Sequence, residues 1–254
     1  MDANPKFLNG RVAVITGGNR GIGRATALAL AGAGAKIAIA GRNQEKINET
    51  LALLKEAGAE AAGFVCDVRE EAQVKKLAAD VMARFGAVHI LMNNAGTAIR
   101  KNVIDFTMDE WRMLTDTNIT GVWLCCKYFV PHMKGRGYGR IINLTSIMAH
   151  VSSTGRGVYS ATKHAVAGLT KALALELIED KITCVAISPG FIATDLTAPL
   201  RADPAKNQGI LDQTPMHRWG EADEIASLAL YICSNSAAFM TGNDVLMDGG
   251  FCAQ

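Results

Sequence analysis

Several features are scarce in this chain of 254 residues, and each absence narrows what it can be. No apolar stretch reaches the roughly 20 residues that span a bilayer, so no membrane partner is expected. No charge of one sign dominates: Lys and Arg total 26 against 24 Asp and Glu, a formal net charge of +2. That balance builds no field to draw nucleic acid or an anionic membrane surface, so neither is expected to bind. The polar start, Met1 to Gly10 with Asp2, Pro5 and Lys6, lacks the apolar core of a signal peptide, which leaves a cytoplasmic protein as the expectation. Cys66, Cys125, Cys126, Cys184, Cys233 and Cys252 form no C-x-x-C pair, and no His stands near them at zinc-ligand spacing. No metal is expected, and the thiols read as core or interface residues. Adjacent Cys125 and Cys126 would diverge on a helix, so no disulfide between them is expected. No repeat, low-complexity tract or linker divides the chain, so residues 1–254 read as one domain.

What is present is an alternation. Short apolar runs at Arg11–Thr16, Lys36–Ala40, Ala61–Cys66, Val88–Asn93, Arg140–Thr145, Ile182–Ser188 and Asp244–Met247 read as strands. Amphipathic stretches between them read as helices: Ile22–Gly34, Asn43–Ala57, Glu70–Phe85, Met108–Met133, Val158–Glu179 and Glu221–Ser234. Strands apolar on both faces, alternating with helices, predict an α/β fold: a doubly wound parallel sheet of about seven strands with helices on both faces. The stretch Gly190–Gly220, carrying Pro199, Pro204 and Pro215, breaks the rhythm and reads as a substrate lid at 190–220.

The first strand runs into Thr16-Gly17-Gly18-Asn19-Arg20-Gly21-Ile22-Gly23. Glycine in a strand-to-helix turn lets a phosphate approach the backbone, and the helix start offers free N–H groups and a positive dipole end. Where a site selective for NAD carries Asp or Glu to hold the ribose 2′-OH, this chain has Gly41 followed by Arg42. A guanidinium suits a 2′-phosphate, and Arg20 can converge on it, so the cofactor is read as NADP(H).

Tyr159 and Lys163, four residues apart in an apolar helix, share a face. Ser146 closes the fifth strand, at the edge where such sheets bind ligands. Reducing a carbonyl needs a hydride at carbon and a proton at oxygen. Tyr159 can supply the proton, a neighbouring Lys ammonium favours the phenolate, and Ser146 can hold the substrate oxygen in line.

With these residues assembled, the chain resembles the short-chain dehydrogenase/reductase family, a Rossmann-type fold, from Arg11 to Gly250. Thr16–Gly23 resembles its T-G-x-x-x-G-x-G motif, and Asn93-Asn94-Ala95-Gly96 its N-N-A-G motif. The resemblance implies catalytic roles for Asn118, Ser146, Tyr159 and Lys163. It implies cofactor contacts at Gly17, Asn19, Arg20, Gly21, Ile22, Gly23, Arg42, Asp67, Val68, Asn94, Ala95, Gly96, Tyr159, Lys163, Pro189, Gly190, Ile192 and Thr194. A bulged helix at Asn118 would free a carbonyl for a water linked to Lys163, making a proton relay. A homotetramer is implied, with Val122-Trp123-Leu124 and Val245–Met247 fitting an interface or simple core.

Leu200-Arg201-Ala202-Asp203 and His217-Arg218-Trp219-Gly220 are distantly similar to the gluconate 5-dehydrogenase type; the 3-oxoacyl reductase type is a further distant likeness. Arg100, His150, Arg156 and His217 are candidates for a carboxylate, whereas Ile99, Met148, Phe191 and Leu196 suit an apolar ketone. The substrate stays open between sugar acid, oxoacyl thioester, polyol and ketone. Two rival readings remain: a non-catalytic NADP(H)-binding sensor or regulator, which would tend to lose the Tyr or Lys kept here, and a methyltransferase, which would lack the Y-x-x-x-K and N-N-A-G pair.

Overall fold

The structure of the protein is a computed structural model that describes residues 6–254. The first five residues of the polar N-terminal segment, and with them the start of the 1–254 domain span, lie outside the described residues. Nine strands are described: β1 (Val12–Thr16), β2 (Lys36–Gly41), β3 (Ala61–Val65), β4 (Ile90–Asn93), β5 (Gly139–Leu144), β6 (Ile182–Pro189), β7 (Ile192–Ala193), β8 (Gly220–Glu221) and β9 (Asp244–Met247). Between them lie α1 (Gly21–Gly32), α2 (Gln44–Glu56), α3 (Glu71–Phe85), α4 (Met108–Thr115), α5 (Gly121–Met133), α6 (Gly157–Glu176), α7 (Ala198–Ala202), α8 (Pro204–Gln213) and α9 (Ala222–Cys233).

Seven strands form one parallel sheet in the order β3-β2-β1-β4-β5-β6-β9. The two-face burial read from the apolar runs is explained by the pleat. In β1, Ala13 and Ile15 pack into a core with Leu30, Ile47, Ile225 and Ile232 of α1, α2 and α9. Val14, pointing the other way, packs into a second core with Val74, Val81, Phe129 and Val166 of α3, α5 and α6. Strand order reverses between β1 and β4, so the connections that leave the carboxyl ends of these two paired strands run to opposite sides of the sheet and leave a crevice there.

Local chemistry sets the element ends. Asn43 caps α2 by accepting the Lys46 N–H at 2.9 Å, and Gly58 at φ +72° turns the chain out of it. Other boundaries fall within a few residues of those read from the sequence. The long helix over 108–133 has a fault: α4 and α5 join through a π turn, Asp116–Thr120, where the Gly121 N–H donates to the Asp116 carbonyl. The stretch 190–220 is more regular than its prolines imply. Pro199 and Pro204 sit in the first turns of α7 and α8, where a missing N–H costs nothing. The short parallel pair β7–β8 ties the base of this excursion together. Among the described residues, no helix is long and apolar enough to cross a membrane.

Candidate active site

The turn from β1 into α1 is built for backbone exposure. Gly17 and Gly21 hold positive φ, at +63° and +50°. Gly23 packs so tightly that a Cβ would lie 2.3 Å from the Gly17 carbonyl oxygen and 2.5 Å from Asn94 Nδ2. Arg20 stands at the N-cap without a side-chain cap, so the opening N–H groups of α1 are left to an outside acceptor. A glycine-rich turn with free N–H groups at a helix start fits a pyrophosphate, and residues 17–23 therefore fit the dinucleotide expected from the sequence.

Thr16 fastens this turn to the end of β4. Its Oγ1 accepts the N–H groups of Asn94 and Ala95, each at 3.1 Å, while Asn94 Nδ2 donates to the Thr16 and Gly17 carbonyls at 2.9 and 3.0 Å. The two glycine-bearing motifs are thus one hydrogen-bonded unit. Sequence reasoning did not assign this role to Thr16; its signal was the hydroxyl at the head of the glycine turn.

At the end of β2 a Cβ on Gly41 would meet Asn19 Oδ1 at 2.7 Å. A side chain at this position would have to move the Asn19 amide aside. Arg42 and Arg20 are exposed, and neither makes a side-chain hydrogen bond or ion pair among the described residues. Asp67, at the end of β3, is held by Arg69 through contacts of 2.6 to 3.0 Å. The Arg69 guanidinium keeps its carboxyl below the usual range. Arg69 was not singled out from the sequence.

Ser146 follows β5 and caps a single 3₁₀ turn, Ile147–Ala149. Its Oγ accepts the Met148 N–H at 3.2 Å, so the hydroxyl proton remains available to a ligand oxygen. Tyr159 and Lys163 lie on one face of α6. Lys163 is buried, its Nζ 5.6 Å from the Tyr159 ring centroid and donating to the Leu144 carbonyl at 2.7 Å. Asn118 sits in the π turn, only 1% exposed. Its Oδ1 and Lys163 Nζ flank Gly96, lying 3.5 and 3.8 Å from where a Cβ would stand.

One cleft of about 920 Å³ joins these parts. Its wall includes Gly17, Asn19, Arg20, Gly21, Ile22, Arg42, Asp67, Val68, Asn94, Ala95, Gly96, Ser146, Tyr159, Lys163, Pro189, Gly190, Ile192 and Thr194. Gly23 and Asn118, also expected in the site, lie behind that wall rather than on it. Of the carboxylate candidates, Arg100 and Arg156 line the cleft and the two histidines do not. His150 Nε2 faces Ser188 Oγ at 3.0 Å and Asp244 Oδ2 at 3.3 Å, and His217 Nδ1 faces the Leu211 carbonyl at 3.1 Å. Met148, Phe191 and Leu196 line the cleft and Ile99 does not. Seven cations line it (Arg20, Arg42, Lys46, Arg100, Arg156, Lys163 and Lys206) against two carboxylates, Asp67 and Asp195, so the wall is cationic although the chain is nearly neutral. Among the described residues, no group of three or more His, Cys, Asp or Glu could hold a metal ion.

Comparison with known proteins agrees in extent and kind. The family model described as enoyl-(acyl carrier protein) reductase matches residues 17–252. The 2-dehydro-3-deoxy-D-gluconate 5-dehydrogenase of Bacillus subtilis is 35% identical over 247 residues, covering 97% of this chain and 96% of that protein. A 3-oxoacyl-(acyl-carrier-protein) reductase of Staphylococcus epidermidis is 38% identical over 240 residues, covering 94% and 97%. Among solved structures, a gluconate 5-dehydrogenase from Burkholderia cenocepacia in complex with NADP and tartrate superposes with a TM-score of 0.93, at 36% identity, over 99% of this chain and 98% of that one.

Proposed function

The chain belongs to the short-chain dehydrogenase/reductase family and is an oxidoreductase acting on CH–OH or C=O groups, and on that premise we propose that it transfers a hydride between NADP(H) and a small carbonyl or secondary alcohol, with Tyr159 as proton donor and acceptor. One observation carries the reading: Ser146, Tyr159 and Lys163 open on the same cleft as the glycine turn at Gly17–Gly21.

When bound, the nicotinamide supplies or takes up the hydride. The chain's own residues do the rest. Ser146, with its Oγ already accepting from Met148, donates its proton to the substrate oxygen and holds it toward Tyr159. Tyr159 gives its phenolic proton to that oxygen in reduction and takes it back in oxidation. Lys163 keeps one N–H on the Leu144 carbonyl and has two left, which would hold the ribose hydroxyls. The π turn at Asn118 supports the proton relay, because widening a helix releases a backbone carbonyl that can hold a water.

Arg42 and Arg20 would bind the 2′-phosphate, and Asn19 filling the space beside Gly41 disfavours an acidic residue for the free 2′-hydroxyl. The Burkholderia relative binds NADP, which agrees with this choice. Asp67 and Val68 would meet adenine; Pro189, Gly190, Ile192 and Thr194 would meet the carboxamide end. Residues 190–220 would act as the lid, since Leu196, Leu200 and Ile210 line the cleft from that segment. A homotetramer is the proposed assembly. Trp123 and Leu246 are exposed while Val122 and Leu124 are core, so the two apolar segments divide between both readings.

The test is NADPH absorbance with purified protein and a panel of ketones, oxo-acids and oxoacyl thioesters. Turnover of at least one class is expected. Tight NADPH binding with no turnover across the panel would favour the sensor reading.

A further inference from the structure

We propose that Arg100 and Arg156 form a carboxylate-binding subsite beside Tyr159, so that the physiological substrate is an oxo-acid or hydroxy-acid. This rests on the reductase reading above and narrows it.

The two arginines come from different loops and are brought together by the backbone. The Lys101 N–H donates to the Gly155 carbonyl at 3.0 Å, joining the segment that carries Arg100 to the one that carries Arg156. Gly155 has φ +76°, and a Cβ there would lie 3.2 Å from Arg100 Cγ, so the Arg100 stem lies directly against this turn. Arg156 is the residue just before α6, and its Cζ lies 5.9 Å from the Tyr159 ring centroid. Both arginines line the cleft with Ser146 and Tyr159.

No carboxylate among the described residues neutralises them. Lys101, the residue next to Arg100, pairs with Glu110 at 2.8 Å. Among the described residues, neither Arg100 nor Arg156 has such a partner. Burial, and then the Arg100 charge, both work against the Arg156 cation. Arg156 is half-buried and Arg100 exposed beside it, so the Arg156 cation, partly desolvated and facing a like charge, is unfavourable until an anion enters between the two. The cofactor phosphates do not meet that need, because their cradle and the exposed Arg20 and Arg42 belong to the β1 and β2 ends, whereas this pair stands at the proton donor. The anion is therefore on the substrate. A carboxylate matches the planar, two-pronged donors of a guanidinium. The apolar Met148 and Phe191 in the same wall favour a small, singly charged group over a larger one.

The experiment compares oxo-acids with their own methyl esters, from 2-oxo to 5-oxo, in wild type, Arg100→Gln, Arg156→Gln and Arg156→Lys. Wild type should favour the acid by about 100-fold in kcat/KM at the best chain length, as charge-assisted hydrogen bonds to a desolvated carboxylate require. Each Gln variant should cut that acid-to-ester ratio by about tenfold or more, and Arg156→Lys should restore part of it. NADPH fluorescence titration checks that each variant is folded and loaded. Equal use of acid and ester by wild type, or an unchanged ratio in both Gln variants, would overturn the subsite. Reduction of neutral ketones and esters but of no oxo-acid overturns the subsite and leaves the reductase reading standing. No turnover of any compound with NADPH bound overturns both.

Discussion

Asn118 grips both backbone groups of Thr97: its Oδ1 accepts the Thr97 N–H at 2.9 Å, and its Nδ2 donates to the Thr97 carbonyl at 2.9 Å. The same Nδ2 also donates to Thr162 Oγ1 at 3.1 Å. The amide therefore links the π turn, the loop after β4 and the helix that carries Tyr159 and Lys163. Both its N–H groups are taken, so the amide has no donor left for a relay water.

Asn118→Ala should accordingly cost stability as well as activity. It leaves part-buried Thr97 N–H and C=O groups without their partner, an expected loss of about 1–3 kcal/mol in urea unfolding. Turnover should fall with it. A variant as stable as wild type but slow would show that the amide serves proton transfer and not the scaffold.

Much of this was legible in the sequence, and the exceptions have physical causes. The sheet was legible because strands buried on both faces cannot be mistaken for amphipathic helix over so many repeats. The glycine turn and the shared face of Tyr159 and Lys163 were legible because their spacing sets where they stand on a strand-to-helix turn and on a helix. The pairing of Thr16 with Asn94 was not, since it joins residues 78 apart and depends on how β1 and β4 lie together. The same holds for His150. Its sequence neighbours place it by the site, but the fold turns its ring toward Ser188 and Asp244, while Thr145 Oγ1 donates to Asp244 Oδ1 at 2.9 Å. The helices of 190–220 were missed because proline reads as a breaker until its position in the first turn is known.

Cofactor choice should hinge on Arg42 and Gly41 together. Arg42→Asp removes the guanidinium and adds a repelling charge, and should lower the NADP-to-NAD ratio of kcat/KM by about 100-fold. An unchanged ratio would sink the 2′-phosphate assignment. Gly41→Asp should recruit NAD poorly by itself, because its Cβ would stand 2.7 Å from Asn19 Oδ1. Combining it with Asn19→Ala opens that space and should improve NAD use over the single variant.

Acid should weaken the fold through His89, far from the cleft at the start of β4. Its Nδ1 accepts the Val12 N–H at 3.0 Å, which requires a ring nitrogen free of its proton. Burial first, then the charges of Arg11 and Arg136, push its pKa down to about 4. The unfolded chain takes up this proton near pH 6.5 and the folded one only near 4, so stability is full above about 6.5 and declines as pH falls toward 4. The loss should approach about 3 kcal/mol at most, less whatever solvent screening removes. His89→Asn can keep an acceptor without a titrating ring, and should flatten the urea-midpoint profile between those limits. An equally steep profile in the variant would assign the acid sensitivity elsewhere.

Tyr159→Phe is the sharpest test of the proposed chemistry, because it removes one oxygen and leaves the ring in place. The aromatic face near Arg156 and Lys163 is retained, at 5.9 and 5.6 Å from those cations. NADPH affinity should therefore survive, while kcat falls about 100- to 10,000-fold for want of a positioned proton donor. Lys163→Ala should behave differently. It frees the Leu144 carbonyl and removes the proposed ribose contact, so NADPH affinity should weaken along with kcat. If Tyr159→Phe instead loses NADPH binding and Lys163→Ala keeps it, the division of labour between proton donor and cofactor anchor is the reverse of the one proposed.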